Sequence, residues 1–158
     1  MNKSIESARR GYSALRKGRV SLEGQIYLVT FTTFRRIRLF EDPGLARTTS
    51  HALHDSRLWQ SASLLAWVLM PDHWHGLIEL SATGKLSKTV QRLKSNTARH
   101  VRLENSVVRP VWEKGFHDRA VRSDESLLGV ARYLVCNPVR SKLVRRVGDY
   151  PYWNAVWL

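Results

Sequence analysis

The chain has 158 residues and a mass of 18.2 kDa, a size that favours one domain around one hydrophobic core. Hydrophobic residues make up 43% and charged residues 25% of the chain, which excludes a mainly disordered protein. The 26 Lys and Arg residues outnumber the 13 Asp and Glu residues, for a net charge of +13. We therefore expect a polyanionic partner, with nucleic acid first and an anionic membrane surface second.

Cysteine content and hydropathy indicate a cytoplasmic protein that does not enter the membrane. The one cysteine, Cys136, can form neither an internal disulfide nor a cysteine-based zinc site. The longest apolar run, Leu64 to Met70, is too short to cross a bilayer. The N-terminus is basic, but no apolar stretch follows it as in a signal peptide.

The chain divides into a basic N-terminal arm, residues 1–22, and one domain, residues 23–158. The arm holds six Lys or Arg residues and one Glu. It is either a solvated segment or one that closes onto a phosphate backbone, with Arg9 and Arg10 as candidate DNA contacts on charge alone. The sequence shows no internal repeat or low-complexity linker, so a second domain is not expected.

The first half of the domain predicts a strand, a helix and a hairpin. Gly24 to Phe34 is rich in β-branched and aromatic residues, which is typical of a strand. A helix is predicted from Pro43, after two acidic residues, to about Trp59. Two further strands, Leu64 to Met70 and His73 to Leu80, flank Pro71 and Asp72, which favour a tight turn.

The second half predicts helix, strand and helix. Residues 85–103 have one apolar stripe and one basic stripe at helical spacing. Phe116 to Ser123 is predicted to be a strand, and Ser123-Asp124-Glu125 is predicted to open a final helix that reaches residue 137 or beyond. The order β-α-β-β-α-β-α is that of an α+β, ferredoxin-like or RRM-like split βαβ fold, in which helices cover one face of an antiparallel sheet. A tyrosine-bearing helix follows at the C-terminal end.

His73-Trp74-His75 is the first candidate site. Residues two apart on a strand face the same way, so both imidazoles should project together while Trp74 enters the core. Two neighbouring imidazoles can share a divalent cation when a third ligand arrives from elsewhere. Two unrelated surface histidines are the alternative.

Tyr133 and Asn137 form the second candidate site, because their spacing places them on one face of the last helix. Pro138 should bend or end that helix. A phenol is a weak nucleophile at neutral pH and needs help from a cation on the phosphate that it attacks. Attack by Tyr133 would give a phosphotyrosine and a free 3′-hydroxyl, which is strand cleavage and transfer rather than hydrolysis. A Tyr with a packed ring and a solvated hydroxyl is the alternative.

Several basic residues are candidates for contact with DNA, although a solvated surface explains them equally well. They are Lys88, Arg92, His117, Arg119, Arg122 and Arg140.

Four segments of the chain resemble one known family: QIYLVTFTT, WVLMPDHWHGLIEL, VWEKGFHDRAVRSDESL and ARYLVCNPVRSKLV. They are similar to the REP-associated tyrosine transposases, a branch of the HUH single-strand DNA transposases. The resemblance implies that His73 and His75 bind Mg²⁺ or Mn²⁺, that Asn137 assists the metal, and that Tyr133 becomes linked to a DNA 5′ end. It further implies a nucleoid-associated bacterial protein, a monomer more than a homodimer, acting on single-stranded DNA with palindromic hairpins. Ser141-Lys142 replaces the usual Ala-Gly.

The sequence thus predicts a metal-dependent single-strand DNA endonuclease and strand transferase. Two alternatives stay open: a non-catalytic protein that binds structured nucleic acid with the same sheet, and a metallonuclease without a covalent step.

Overall fold

The computed structural model describes residues 23–106 and 110–157, so the predicted arm with Arg9 and Arg10 lies outside the described residues. The strands are β1 (Ile26–Thr32), β2 (Ala62–Met70), β3 (His73–Leu80), β4 (His117–Ala120) and β5 (Trp153–Ala155). The α-helices are α1 (Pro43–Ala52), α2 (Leu86–Asn105), α3 (Leu127–Val135) and α4 (Asn137–Arg140). Within this described part, no helix combines the length and the apolar character needed to span a bilayer.

The strands form one antiparallel sheet in the order β4-β1-β3-β2-β5, with β3 at its centre. The predicted hairpin is confirmed: Met70 pairs with His73, and Pro71 and Asp72 make the turn between them. Because β3 has a neighbour on each side, its backbone is held along its whole length. The predicted α+β fold class is confirmed.

Each face of the sheet carries its own hydrophobic core. Helices α1 and α2 cover one face, where Trp74, Phe31 and Leu93 are almost completely buried. Helix α3 packs on the other face, where Ala131 and Leu134 contact the cluster that contains Val68. The tyrosine-bearing helix therefore lies on the opposite side of the sheet from the other two long helices.

Trp74 determines which residue can follow the second histidine. Its indole ring stacks on Phe31 with ring centroids 4.9 Å apart and lies directly over the backbone of Gly76. A methyl group at residue 76 would overlap that ring. Glycine is required at this position because any side chain would displace the largest fully buried side chain of the core.

The predicted extent of the first helix was wrong, and one strand was missed. The first helix ends at Ala52, and a separate 3₁₀ turn covers Ser56–Trp59. The side chain of Asp55 accepts a hydrogen bond from the Arg57 amide, and such a local acceptor competes with the helical backbone. Strand β5 was not predicted, because three residues are too few to show a period.

The last predicted helix is two helices. Ser126, rather than Ser123, caps α3 by accepting a hydrogen bond from the Gly129 amide. Helix α3 ends at Val135, and Pro138 lies in the first turn of α4, as expected for a residue without an amide hydrogen. Helix α4 closes with bonds from the amides of Lys142 and Leu143 to the carbonyls of Val139 and Pro138.

This closure requires a left-handed residue, and Lys142 has φ +57°. The bond pattern is that of a Schellman motif, whose left-handed position is usually glycine. Lys142 occupies the position at which the family that the sequence resembles usually has this glycine. The chain keeps the turn without the residue that adopts it most easily.

Candidate active site

The two imidazoles of the motif lie side by side on the face covered by α3. The ring centroids of His73 and His75 are 4.6 Å apart and the rings are nearly perpendicular. Trp74 points to the opposite face and is 1% exposed. The predicted alternation of this strand is therefore confirmed.

Both imidazoles are oriented through the same ring nitrogen. His73 Nδ1 is 2.6 Å from Asp72 Oδ1, and His75 Nδ1 is 2.7 Å from the hydroxyl oxygen of Thr30. A carboxylate can only accept, so the His73 Nδ1–H donates and the lone pair lies on Nε2. Histidines that bind metals are commonly held in this way, with the second nitrogen hydrogen-bonded to a carboxylate or another acceptor.

Asp72 is in turn held by Arg36. The Arg36 Nε lies 3.3 Å from Asp72 Oδ2. Arg35 and Arg36 both have left-handed backbone conformations, with φ of 54° and 56°, which are uncommon for residues with a side chain. Consecutive residues in this conformation are a form of local strain that is concentrated at functional sites.

Burial keeps both imidazoles neutral. Burial lowers the pKa of His75 to about 3, and the positive charge of Arg140 acts in the same direction. Burial also lowers the pKa of His73, although the Asp72 carboxylate partly opposes that shift. Neutral imidazoles have the lone pairs that a metal ion needs, so protons do not compete with a cation near neutral pH.

This neutrality gives an expected pH dependence. Because the folded pKa of each histidine lies below the ordinary value near 6.5, the unfolded chain takes up protons first as the pH falls. Their contribution to stability is complete above about pH 6.5 and is lost progressively towards pH 3, the folded value of His75. Denaturant unfolding of metal-free protein between pH 5 and 7 measures how the free energy of unfolding depends on pH. The dependence should be shallower in His75→Gln, and an identical slope would contradict the assignment.

Tyr133 lies on the same side of the sheet as the histidines. Helix α3 packs through Ala131 and Leu134 on the residues that neighbour the imidazoles in the sheet, such as Met70, which pairs with His73. The Tyr133 side chain is 60% exposed at the flank of that helix, as its spacing from the buried stripe predicts. Most of the residue is therefore open to solvent.

Arg140 connects Tyr133 to the histidines. Its guanidinium lies over the Tyr133 ring, 3.6 Å from the centroid, and its Nη2 donates to the phenol oxygen at 2.7 Å. The same charge lowers the pKa of His75. The paired imidazoles and the phenol thus share one positively charged neighbour.

Asn137 lies at the break between α3 and α4. Its Nδ2 donates to the carbonyl of Leu134 at 2.8 Å, the group that an amide at Pro138 would otherwise bond. The remaining amide oxygen is a suitable cation ligand. In residues 23–106 and 110–157, no three His, Cys, Asp or Glu side chains cluster so as to hold a metal ion by themselves.

The other candidate DNA contacts fall into two places. Lys88 and Arg92 line a groove of about 570 Å³ at the start of α2, together with Ser61. They are on the helix that covers the Trp74 face, so the structure does not bring them to the histidines. His117 pairs with Thr30, which pairs with His75, so these three residues form a row across adjacent strands on one face.

Arg119 and Arg122 are engaged in ion pairs. Arg119 Nη1 donates to both carboxylate oxygens of Glu125, at 2.9 and 2.7 Å, and Arg122 pairs with Asp124. These bonds lie in the connection between β4 and α3 and help to fix the start of the tyrosine helix. Their predicted role in DNA contact stays a prediction.

Sequence reasoning missed three residues of the site: Thr30, Arg36 and Asp72. Asp72 is adjacent to His73, and a carboxylate beside a candidate metal ligand could have been noted as its hydrogen-bond partner. Thr30 is identified only by the register of β1 against β3, and Arg36 only by the left-handed turn after β1.

A split βαβ sheet with paired imidazoles and a tyrosine helix on one face is the arrangement of the HUH class with a single tyrosine. The sequence profile of the family described as "Transposase IS200 like" matches residues 21–135, a range that contains His73, His75 and Tyr133. The chain belongs to this family of transposases, which generally use a divalent metal ion.

The chain is also similar to individual relatives, and it spans about three fifths of the length of the curated one. The REP-associated tyrosine transposase of Escherichia coli K12 is 24% identical over 103 residues, which are 65% of this chain and 59% of the relative. A structure of a REP-associated tyrosine transposase bound to a REP hairpin matches with a TM-score of 0.67 and 20% identity, over 85% of this chain and 79% of that one. A candidate transposase from Deinococcus radiodurans R1 matches with a TM-score of 0.51 and 20% identity, over 75% of this chain and 94% of that one.

Proposed function

We propose that the protein cleaves single-stranded DNA next to a palindromic hairpin and transfers the strand through a 5′-phosphotyrosine at Tyr133. The observation that carries the proposal is the packing of α3 on the sheet face that bears His73 and His75. Family membership supports the same reaction class. The hairpin substrate is proposed from the relative whose structure contains a REP hairpin.

The site fits a divalent metal ion. His73 and His75 have neutral rings whose Nδ1 atoms are engaged. The two Nε2 atoms are the proposed ligands, and Asn137 is proposed to assist. A bound Mg²⁺ or Mn²⁺ would polarise the scissile phosphate. With two imidazole ligands, we expect Mn²⁺ to bind more tightly than Mg²⁺, which prefers oxygen ligands.

Tyr133 supplies the nucleophile. Its hydroxyl oxygen bonds to phosphorus while its proton passes to water, and the bond from phosphorus to the 3′-oxygen breaks. That oxygen takes a proton from solvent to become a free 3′-hydroxyl. The phosphodiester bond is exchanged rather than hydrolysed, so the reverse reaction rejoins a strand without an energy source such as ATP.

Further proposals concern the DNA contacts and the state of the protein. We propose that DNA contacts come from the arm residues Arg9 and Arg10, from Lys88 and Arg92 on α2, from the β4 region (His117, Arg119 and Arg122) and from Arg140. A bacterial nucleoid location and a monomer that acts in cis stay predictions. Strong dependence of hairpin affinity on salt would accompany these phosphate contacts.

A labelled hairpin oligonucleotide with a single-stranded flank tests the proposal. After incubation with Mn²⁺ or Mg²⁺, denaturing electrophoresis should show a slower band of protein bound covalently to DNA, and peptide mass spectrometry should map the link to Tyr133. Excess chelator should remove the band, and added Mn²⁺ should restore it.

Other results would select another function. Cleavage without the slower band would indicate a metallonuclease without a covalent step. Binding without cleavage, across many hairpin sequences, would indicate a protein that only holds structured nucleic acid. A covalent band that persists in excess chelator would contradict the role of the metal.

A further inference from the structure

Arg140 makes three separate contacts with one residue. Its Nη2 donates to the Tyr133 hydroxyl oxygen at 2.7 Å, its Nη1 donates to the Tyr133 carbonyl at 3.1 Å, and its guanidinium plane covers the ring. Tyr133 itself is more than half exposed. The hydrogen bond and the stacking together set the direction of the phenol.

The backbone around Arg140 is built to hold this contact. Tyr133 and Arg140 are seven residues apart, or about two helical turns, and the break at Pro138 lies between them. The Schellman closure at Lys142 ends α4 directly after Arg140. Arg140 is thus presented by a short helix whose end is fixed, rather than by a free tail.

We infer that Arg140 is the positioning residue for Tyr133, beyond the DNA contact that charge alone suggests. This inference rests on the proposed function. Arg140 orients the Tyr133 hydroxyl oxygen for attack on phosphorus. It also keeps a positive charge beside that oxygen while the hydroxyl proton leaves to water. When the bond to the 3′-oxygen breaks, the same donor faces an oxygen of the new phosphotyrosine diester.

The contacts require arginine rather than lysine. A planar guanidinium can stack on a ring and donate two hydrogen bonds at a fixed angle, whereas an ammonium is a point charge. Arg140→Lys should therefore keep the attraction to DNA and lose the orientation of Tyr133. A residue that only binds phosphate would tolerate this change.

The test separates the rate of adduct formation from DNA affinity. At saturating hairpin DNA and Mn²⁺, Arg140→Ala and Arg140→Lys should form the adduct roughly 10- to 100-fold more slowly than wild type, the loss expected when a reacting group is misplaced. Affinity, measured with each substitution in a Tyr133→Phe background, should change much less. In Arg140→Ala, added guanidinium should restore part of the rate.

Two measurements control for general effects. Arg145→Ala removes another exposed arginine of the same basic segment and should react at the wild-type rate. Nuclear magnetic resonance of protein without DNA should show ring-current shifts of the Arg140 side-chain protons that vanish in Tyr133→Leu.

The outcomes distinguish the two proposals. If Arg140→Ala reaches the wild-type rate at saturating DNA, this inference alone is overturned, and Arg140 is a phosphate contact only. If the wild type forms no adduct although the ring-current shifts are present, the proposed function fails and the positioning role fails with it.

Discussion

We expect the Tyr133→Phe variant to form no covalent adduct with hairpin DNA and to bind that DNA nearly as well as wild type does. The substitution removes only the hydroxyl oxygen that would attack phosphorus. The aromatic ring stays beneath the Arg140 guanidinium, whose central carbon lies 3.6 Å from the ring centroid in the wild type. Most of residue 133 is solvent-exposed. Electrophoresis under denaturing conditions measures the adduct, and fluorescence anisotropy measures the binding.

Tyr152→Phe is a matched control for this experiment. Tyr152 is partly buried and packs with Tyr150 at the β5 end of the sheet. Its loss of a hydroxyl should leave the adduct unchanged. If Tyr133→Phe still became attached to DNA in full, Tyr133 would have no place in the mechanism.

The second large effect concerns the cation. His75→Ala should abolish measurable Mn²⁺ binding, because it removes one of the two imidazoles that lie side by side. Thr30→Val and Asp72→Asn keep both imidazoles but change their hydrogen bonds. Such changes should weaken Mn²⁺ binding by about 10- to 100-fold. Calorimetry or electron paramagnetic resonance measures the affinity without any reaction.

His51→Ala removes an exposed histidine at the end of α1 and serves as the control. It should bind Mn²⁺ as wild type does. Circular dichroism should show that His75→Ala keeps its fold. Undiminished Mn²⁺ binding by folded His75→Ala would exclude the paired imidazoles as the metal site.

Much of the fold could be predicted because its elements have clear periods. The alternation of His73, Trp74 and His75 gave the correct face for each residue, and the apolar stripe of α2 gave its buried side. The errors lie where local hydrogen bonds override a period. The side chain of Asp55 starts a new turn after α1, and Ser126 displaces the predicted cap of α3.

The site was only partly predictable for a different reason. Ligand and nucleophile types can be recognised in a sequence, but their hydrogen-bond partners depend on strand register and on turns. Thr30 reaches His75 because β1 pairs with β3 in one particular register. The stacking of Arg140 on Tyr133 depends on the way in which the chain turns at Pro138.

The position of Trp74 between two imidazoles links accurate folding to activity. Because side chains alternate along a strand, a shift of β3 by one residue would send the indole to the reactive face and both histidines into the opposite core. In the observed register the indole lies over Gly76, so the shifted pairing loses that packing together with the proposed cation ligands. One slip in pairing would therefore remove the side-by-side imidazoles and the packed indole at the same time.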